Sequence, residues 1–326
     1  MTIKEIDSIL KQASNALDSG NSDEAAGLYK SVLNKAPDNH EACLMLGSLY
    51  GESGRLPEAV EFLQQAIELK QDDVAAGLVL ARIYQATGDS GQAIKLLERI
   101  SQSEEDAEVT YTLATLEEEG GNWQRAQDLF GRAVELDPDN AEVWMAMASF
   151  HMNSGEFDKA ETFYNEVLKR EPNNNFAIGF LSVALAQQER TDEAESLLRE
   201  ALQTNVDNPD LHYYLAHTLK QQGLNTEALE SCERALASLP EDRRFIVKKA
   251  EIYEGIGDLE QAFDLLKPIL ESGDVPVDAA LIFARLSHPL GMVDDGKSLL
   301  HKLSEQPLTL LHKQNVSEAL QWLESV

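Results

Sequence analysis

Cysteine is nearly missing from this chain. Cys43 and Cys232 are the only two in 326 residues, which rules out a disulfide framework or a paired-cysteine metal site and leaves each as a small buried apolar side chain. Aromatic residues make up 6% and there are 10 prolines, so a helical protein rich in Ala, Leu and Glu is expected. Positive charge is scarce as well. With 27 Lys+Arg against 57 Asp+Glu the formal charge is −30, which repels phosphate backbones and anionic lipid and makes nucleic acid and membrane surfaces poor partners. No apolar run approaches the roughly 20 residues a membrane-spanning helix needs. The longest, from Ile178 to Ala186, is broken by Gly179 and Ser182. The opening segment MTIKEIDSIL scatters charges where an export signal would be apolar, so the expected compartment is the cytoplasm. The sequon Asn315-Val316-Ser317 would matter only in a secreted protein and is read as coincidence.

What the chain does have is an internal repeat. Ala25, Ala59, Ala93, Ala126, Ala160, Ala194, Ala228 and Ala262, then Gly296, recur every 34 residues, with a single step of 33. Five residues ahead of each stands a glycine, from Gly20 to Gly291, with Glu189 the one exception. A second small-residue row runs twelve ahead, from Ala13 to Ala284, and a mostly bulky row follows four behind, from Tyr29 to Leu300.

Two antiparallel helices per period explain these rows. Glycine falls where the first helix stops, because it takes the left-handed conformation without steric cost. The small rows let the paired helices cross closely, and the bulky row fills the space so left. Second helices end near Pro37, Pro138, Pro172 and Pro240. Pairs such as Asp38-Asn39, Asp72-Asp73, Asn173-Asn174 and Asp207-Asn208 then offer oxygens to cap the next helix, and their charge suits its positive end.

Trp144, Ala148, Gly155, Ala160, Tyr164 and Pro172 follow the W-x2-L-G-x2-Y…A-x3-F…P pattern, as do Leu46-Gly47, Tyr50, Gly54 and Ala59. On these residues the chain resembles the tetratricopeptide repeat (TPR) family. The resemblance implies an all-α fold, a right-handed α-solenoid or superhelix of about nine helix-turn-helix units. Its units run over 6–39, 40–73, 74–106, 107–140, 141–174, 175–208, 209–242, 243–276 and 277–307. The 74–106 unit is one residue short and has Glu105 near the usual proline. Residues 308–326 read as a C-terminal capping helix, with Leu311, Val316, Leu320 and Leu323 available for one face, or as a truncated tenth repeat.

No constellation for catalysis stands out. The sequence has no phosphate-binding glycine loop, no nucleophile elbow and no H-E-x-x-H. His212 and His217, five apart on one expected helix, point away from each other, so no metal site is assigned. The clusters Glu117-Glu118-Glu119 and Glu104-Glu105-Asp106 read as solvated helix ends. No cofactor is expected and the chain is read as non-enzymatic.

The family's first helices line a concave groove that receives a segment of another protein. Carrying over its inward-facing positions gives Leu44, Met45, Leu78, Val79 and Arg82 from the second and third units. The fourth and fifth give Tyr111, Thr112, Met145, Ser149, Met152 and Asn153, and the sixth and seventh give Phe176, Phe180, Val183, Tyr213, Tyr214 and His217. Leu44, Leu78 and Val79 are equally readable as core. Some members hold a C-terminal carboxylate with Lys and Asn over three units. Here Leu10, Ser14, Met45, Ala75 and Val79 fail that pattern, whereas Arg244 and Lys248 match two basic positions beside non-matching Gly179, Val183 and Tyr214. On a charged helix those two cations are expected to be solvated. The implied partner is a protein segment with apolar anchors and basic flanks. Two other readings stay open: the N-terminal recognition arm of a larger enzyme, similar to bacterial sulfotransferases or glycosyltransferases that carry such arrays, and self-assembly through the N-terminal helix of a second copy.

Overall fold

The computed structural model describes residues 3–103, 105–306 and 310–325, without the side chains of residues 310 and 311. Glu104, Leu308, Val326 and the Leu311 side chain therefore lie outside the described residues. All regular structure among the described residues is α-helical. The chain runs through α1 (Ile3–Asp18) and α2 (Ser22–Leu33), α3 (His40–Glu52) and α4 (Leu56–Leu69), α5 (Val74–Ala86) and α6 (Ser90–Ser101), and α7 (Ala107–Glu119) and α8 (Trp123–Leu136). It continues through α9 (Ala141–Asn153) and α10 (Phe157–Arg170), α11 (Asn175–Gln187) and α12 (Thr191–Thr204), and α13 (Pro209–Gln221) and α14 (Asn225–Ser238). Last come α15 (Arg243–Ile256) and α16 (Leu259–Glu271), α17 (Val277–Ser287) and α18 (Val293–Ser304), and α19 (Leu310–Ser325). The chain divides into two compact units, residues 1–150 and 151–326.

The residue rows explain the hairpins. Every member of the alanine row from Ala25 to Ala262 is fully buried, as are Tyr29, Leu63, Leu97, Phe130, Tyr164, Leu198, Cys232, Leu266 and Leu300 four positions on. At Gly47 a Cβ would stand 2.7 Å from Leu63 Cγ and 3.2 Å from the Leu63 backbone nitrogen, so α3 and α4 meet almost backbone to backbone. Each interior bulky side chain contributes about 1.5–3 kcal/mol by leaving water. The turn glycines have φ between 71° and 84°, and Glu189 adopts φ 63° in the same place, so the geometry of that turn is imposed even where the sequence offers no glycine.

Caps begin the first helices. The side chains of Asn39, Asp73, Asp106, Asn174 and Asn208 accept from the backbone amides of Ala42, Ala76, Val109, Ala177 and Leu211, and Asp242 accepts from Arg244. First helices also pack side by side: α3, α5 and α7 in residues 1–150, and α11, α13, α15 and α17 in residues 151–326. In the latter unit α19 packs on α17 and α18, burying Val316 and Leu323 against Ala280, Ala284 and Leu300, with Leu320 partly buried there.

One expectation is corrected. Glu117 is not a solvated helix end; it is 1% exposed. The reversal at Gly121 brings Asn122 Nδ2 to 2.6 Å and Arg125 to 2.8 Å of its carboxylate, which fastens the start of α8 over the end of α7. Nearby, Asp106 is the α7 cap and Glu105 pairs with Arg132.

Candidate interaction surface

In residues 1–150 the carried-over positions separate by environment. Leu78 is buried in the core, while Leu44, Met45 and Val79 are partly buried and pack against it. Arg82 is exposed and reaches Glu108 at 2.7 Å on the next first helix. The Thr112 hydroxyl donates to the Glu108 carbonyl, and Tyr111 is half-buried with its ring 6.2 Å from that of Phe130. Burial, with Glu142 and Glu118, raises the Tyr111 phenol. Met145 and Ser149 are half-buried. Tyr111 and Thr112 line a concavity of about 650 Å³ with Arg82, Glu108, Asp137 and Glu142. Carboxylates outnumber cations there, which suits a basic visitor.

Residues 151–326 carry the apolar surface. Met152 is half-buried and Asn153 exposed. The 13 residues of α11 include no charged side chain, in a chain where charged residues make up 26%. Phe176, Phe180 and Val183 recur on it at the four- and seven-residue intervals that share a helix face. Phe176 is 58% exposed, Phe180 38% and Val183 half-buried. From Phe180 the rings continue without a break: Tyr164 lies 6.1 Å away on one side, Tyr214 5.7 Å away on the other, then Tyr213 at 5.4 Å and Phe245 at 5.7 Å. Tyr213 and Tyr214 are half-buried. Burial pushes both phenols up to about 12, with Asp278 and Glu251 adding to it at Tyr213, and Tyr213 and Asp210 at Tyr214.

Of the two basic residues expected to be solvated, Arg244 is exposed and Lys248 is not. Lys248 is 8% exposed; its Nζ pairs with Glu251 at 2.5 Å and donates to His217 Nδ1 at 3.2 Å. Arg244 pairs with Asp242 at 2.7 Å and with Asp210 at 3.0 Å. Lys248 is enclosed because His217 on α13 and Glu251 one turn on along α15 stand where water would be, whereas the Arg244 guanidinium stays largely in solvent beside its two carboxylates. Burial would raise the Glu251 carboxyl, but Lys248 and Lys220 overcome it and hold the group near 2. Burial, reinforced by the Lys248 ammonium, holds His217 down at about 4. Tyr213, Arg244, Lys248 and Glu251 line a cavity of about 330 Å³ with Arg243 and Arg285. Glu251 and Arg285 occupy the ninth position of their units, the same register as Val183 and His217; counting on through the last two units would have found them.

His212 faces elsewhere, its Nε2 donating to the Val206 carbonyl at 2.8 Å. No group of three or more His, Cys, Asp or Glu among the described residues could hold a metal, and no helix of the described residues is long and apolar enough to cross a membrane.

Solved structures share this architecture. A tetratricopeptide repeat protein from Parabacteroides merdae is 17% identical, the match covering 75% of this chain and 96% of that one with a TM-score of 0.65. The human IFIT1 dimer with m7Gppp-AAAA is 18% identical over 85% of this chain and 70% of that one, with a TM-score of 0.56. At such identity the likeness shows the fold alone. No curated protein matches the chain. A family model described as the cilia and flagella-associated protein 70 C-terminal domain matches residues 68–281, and one described as a tetratricopeptide repeat matches residues 16–76. The chain thus belongs to the tetratricopeptide repeat proteins, and within them to the family of the cilia and flagella-associated protein 70 C-terminal domain.

Proposed function

We propose that this protein is a non-catalytic scaffold that binds a segment of another protein along the face formed by α11, α13 and α15. One observation carries the reading: Phe176 and Phe180 stand exposed on a helix without charge, continuous with Tyr214 and Tyr213, in an otherwise strongly acidic molecule. A contiguous apolar patch of this kind costs solubility and gains a use when a partner covers it. Aromatic side chains are the anchors that such interfaces favour. Burying a whole Phe is worth about 1.5–3 kcal/mol, and the exposed parts of Phe176 (58%) and Phe180 (38%) together amount to about one ring, so the two anchors supply that share of the about 8 kcal/mol of a micromolar affinity. The carboxylate-lined concavity of residues 1–150 suits basic residues elsewhere in a partner, by charge complementarity.

The test replaces both anchors with Ala and compares co-purifying proteins from the native cell with those of wild type and of Trp123→Ala, an exposed aromatic of residues 1–150. Loss of specific partners in Phe176→Ala/Phe180→Ala, with Trp123→Ala unaffected, is the expected result. An unchanged set of partners removes the α11 face from the argument. Both anchors are exposed, so the double variant is expected to fold.

A further inference from the structure

Position 23 of the repeat, on the second helix, is Leu or Phe in eight of the nine units read from the sequence, from Leu28 and Phe62 to Leu265 and Leu299. The leucines and Phe62 are partly buried there, packed against the hydrophobic core. In the 209–242 unit the same position holds Ser231. Ser231 lines a cavity of about 240 Å³ among α12, α13 and α14, walled by Leu202, Val206, Leu215 and Leu219. An equivalent groove of about 480 Å³ lies among α4, α5 and α6, and there the place of Ser231 is taken by Leu96. What sets the α12–α14 cavity apart is a hydroxyl where the repeat otherwise puts hydrocarbon.

Two of the lining groups are buried and have no partner. Ser231 is 6% exposed, and its hydroxyl makes no hydrogen bond among the described residues. The hydroxyls of Ser31, Ser48, Ser182 and Ser287 instead donate back to carbonyls of their own helices. His212 is 3% exposed; its Nε2 donates to the Val206 carbonyl, which leaves Nδ1 as an acceptor, and Nδ1 has no partner either. Burial holds this imidazole below its ordinary range, so it stays neutral near pH 7 and keeps that lone pair. A buried polar group left unmet costs stability, and two of them line one cavity.

A ligand that answers both groups is apolar in body and carries one group able to donate and accept. A hydroxyl does this, accepting from Ser231 and donating to Nδ1, whereas a carboxylate cannot donate and an ammonium cannot accept. A cavity of about 150 Å³ holds benzene, so this one admits a single ring with its hydroxyl. The rim is charged. Arg199, Glu227 and Glu230 stand exposed around it, with Arg234, which has no ion-pair partner among the described residues. A partner protein seated there would have to strip water from those charges, which favours a free molecule over a protein anchor. We propose that the α12–α13–α14 cavity is a second binding site, one that takes a small free phenol, with the hydroxyl held between Ser231 and His212 and the ring against Leu202, Val206, Leu215 and Leu219. It shares no residue with the aromatic interaction face.

Calorimetric titration of the full chain with p-cresol and with toluene, which differ by one hydroxyl, tests this. Wild type is expected to bind p-cresol saturably, and more tightly than toluene by roughly threefold to tenfold, the worth of one neutral hydrogen bond. Ser231→Ala keeps the space and loses that preference. Ser231→Leu, which restores the side chain most units carry, closes the cavity and binds neither compound, while Phe176→Ala/Phe180→Ala behaves as wild type. Ser231→Ala needs no repacking, so the comparison stands even if the larger residue disturbs the fold. Absence of saturable p-cresol binding by wild type overturns the inference and leaves a merely hydrated cavity. Binding by Ser231→Leu equal to wild type overturns it by placing the ligand elsewhere. Equal affinity of wild type for the two compounds overturns the polar contact on which the site depends.

Discussion

Gly47 and Gly131 both lie inside helices, α3 and α8, and both can be changed to Ala with opposite consequences. In an exposed helix interior Ala is more favourable than Gly by about 1 kcal/mol. A Cβ at Gly131 meets nothing within 4 Å, so Gly131→Ala is expected to stabilise the protein by most of that amount. At Gly47 the same methyl would stand 2.7 Å from Leu63 Cγ and 3.2 Å from the Leu63 nitrogen, and Leu63 is 0% exposed. Either Leu63 or the backbones must yield by roughly 1 Å to restore ordinary contact. Overpacking of that kind costs about 1–3 kcal/mol, which outweighs the helix gain and leaves Gly47→Ala less stable than wild type by roughly 1 kcal/mol. A gap of about 2 kcal/mol between the variants follows. Urea unfolding followed by circular dichroism measures it. Hydrogen exchange at the α3 and α4 amides localises the loss, since repeat arrays need not unfold all at once. If Gly47→Ala stabilises as much as Gly131→Ala, the close crossing inferred from the small-residue rows is wrong.

Three further outcomes are expected. Acid should weaken residues 151–326 in two stages: unfolding releases His217, held near 4 against an ordinary 6.5, so stability falls as pH drops from about 6.5 to 4. Glu251, held near 2 against 4.5, contributes stability that is present above 4.5 and lost toward 2. Denaturation midpoints against pH for wild type and Glu251→Gln check this, the variant losing roughly 3 kcal/mol near neutrality and the lower stage, and a flat profile shared by both refutes it. Burial pushes the Cys232 thiol up to about 12, so an aromatic disulfide reagent near neutral pH should label it only as fast as the structure opens; labelling within the mixing time contradicts its burial. Glu189→Gly relieves a left-handed residue at φ 63° and should raise the thermal midpoint by the equivalent of about 0.5 kcal/mol, after the added freedom of the unfolded chain is deducted, and a lowered midpoint would count against the turn geometry.

The repeat rows are legible in the sequence because they encode contact at a fixed period. Ala160 and Tyr164 had to be small and large where two helices cross, and both are buried in that relation. The missing glycine at Glu189 was equally visible, and the chain adopts the left-handed turn there regardless. The interaction surface was less legible. Inward-facing positions name the candidates, but the same register holds Val79, which packs against the core, and Phe180, which is exposed. Register specifies a direction from the helix axis, whereas exposure depends on what the next helix places there.

Helix identity, pairing and the turns follow from the order of residues alone, since each hairpin is closed by contacts within about forty positions and needs no knowledge of distant chain. Tertiary structure decided the state of individual side chains. Lys248 and Glu117 read as charges for solvent, and both are enclosed, Lys248 by His217 on α13 and Glu251 on its own helix, Glu117 by Arg125 on α8. Tyr214 lies on Gly179 for the same reason: a residue 35 positions earlier leaves room, and only the packing of α11 against α13 brings ring and vacancy together. Local sequence sets what each helix can offer, and burial, charge state and shape at a site are properties of the pair.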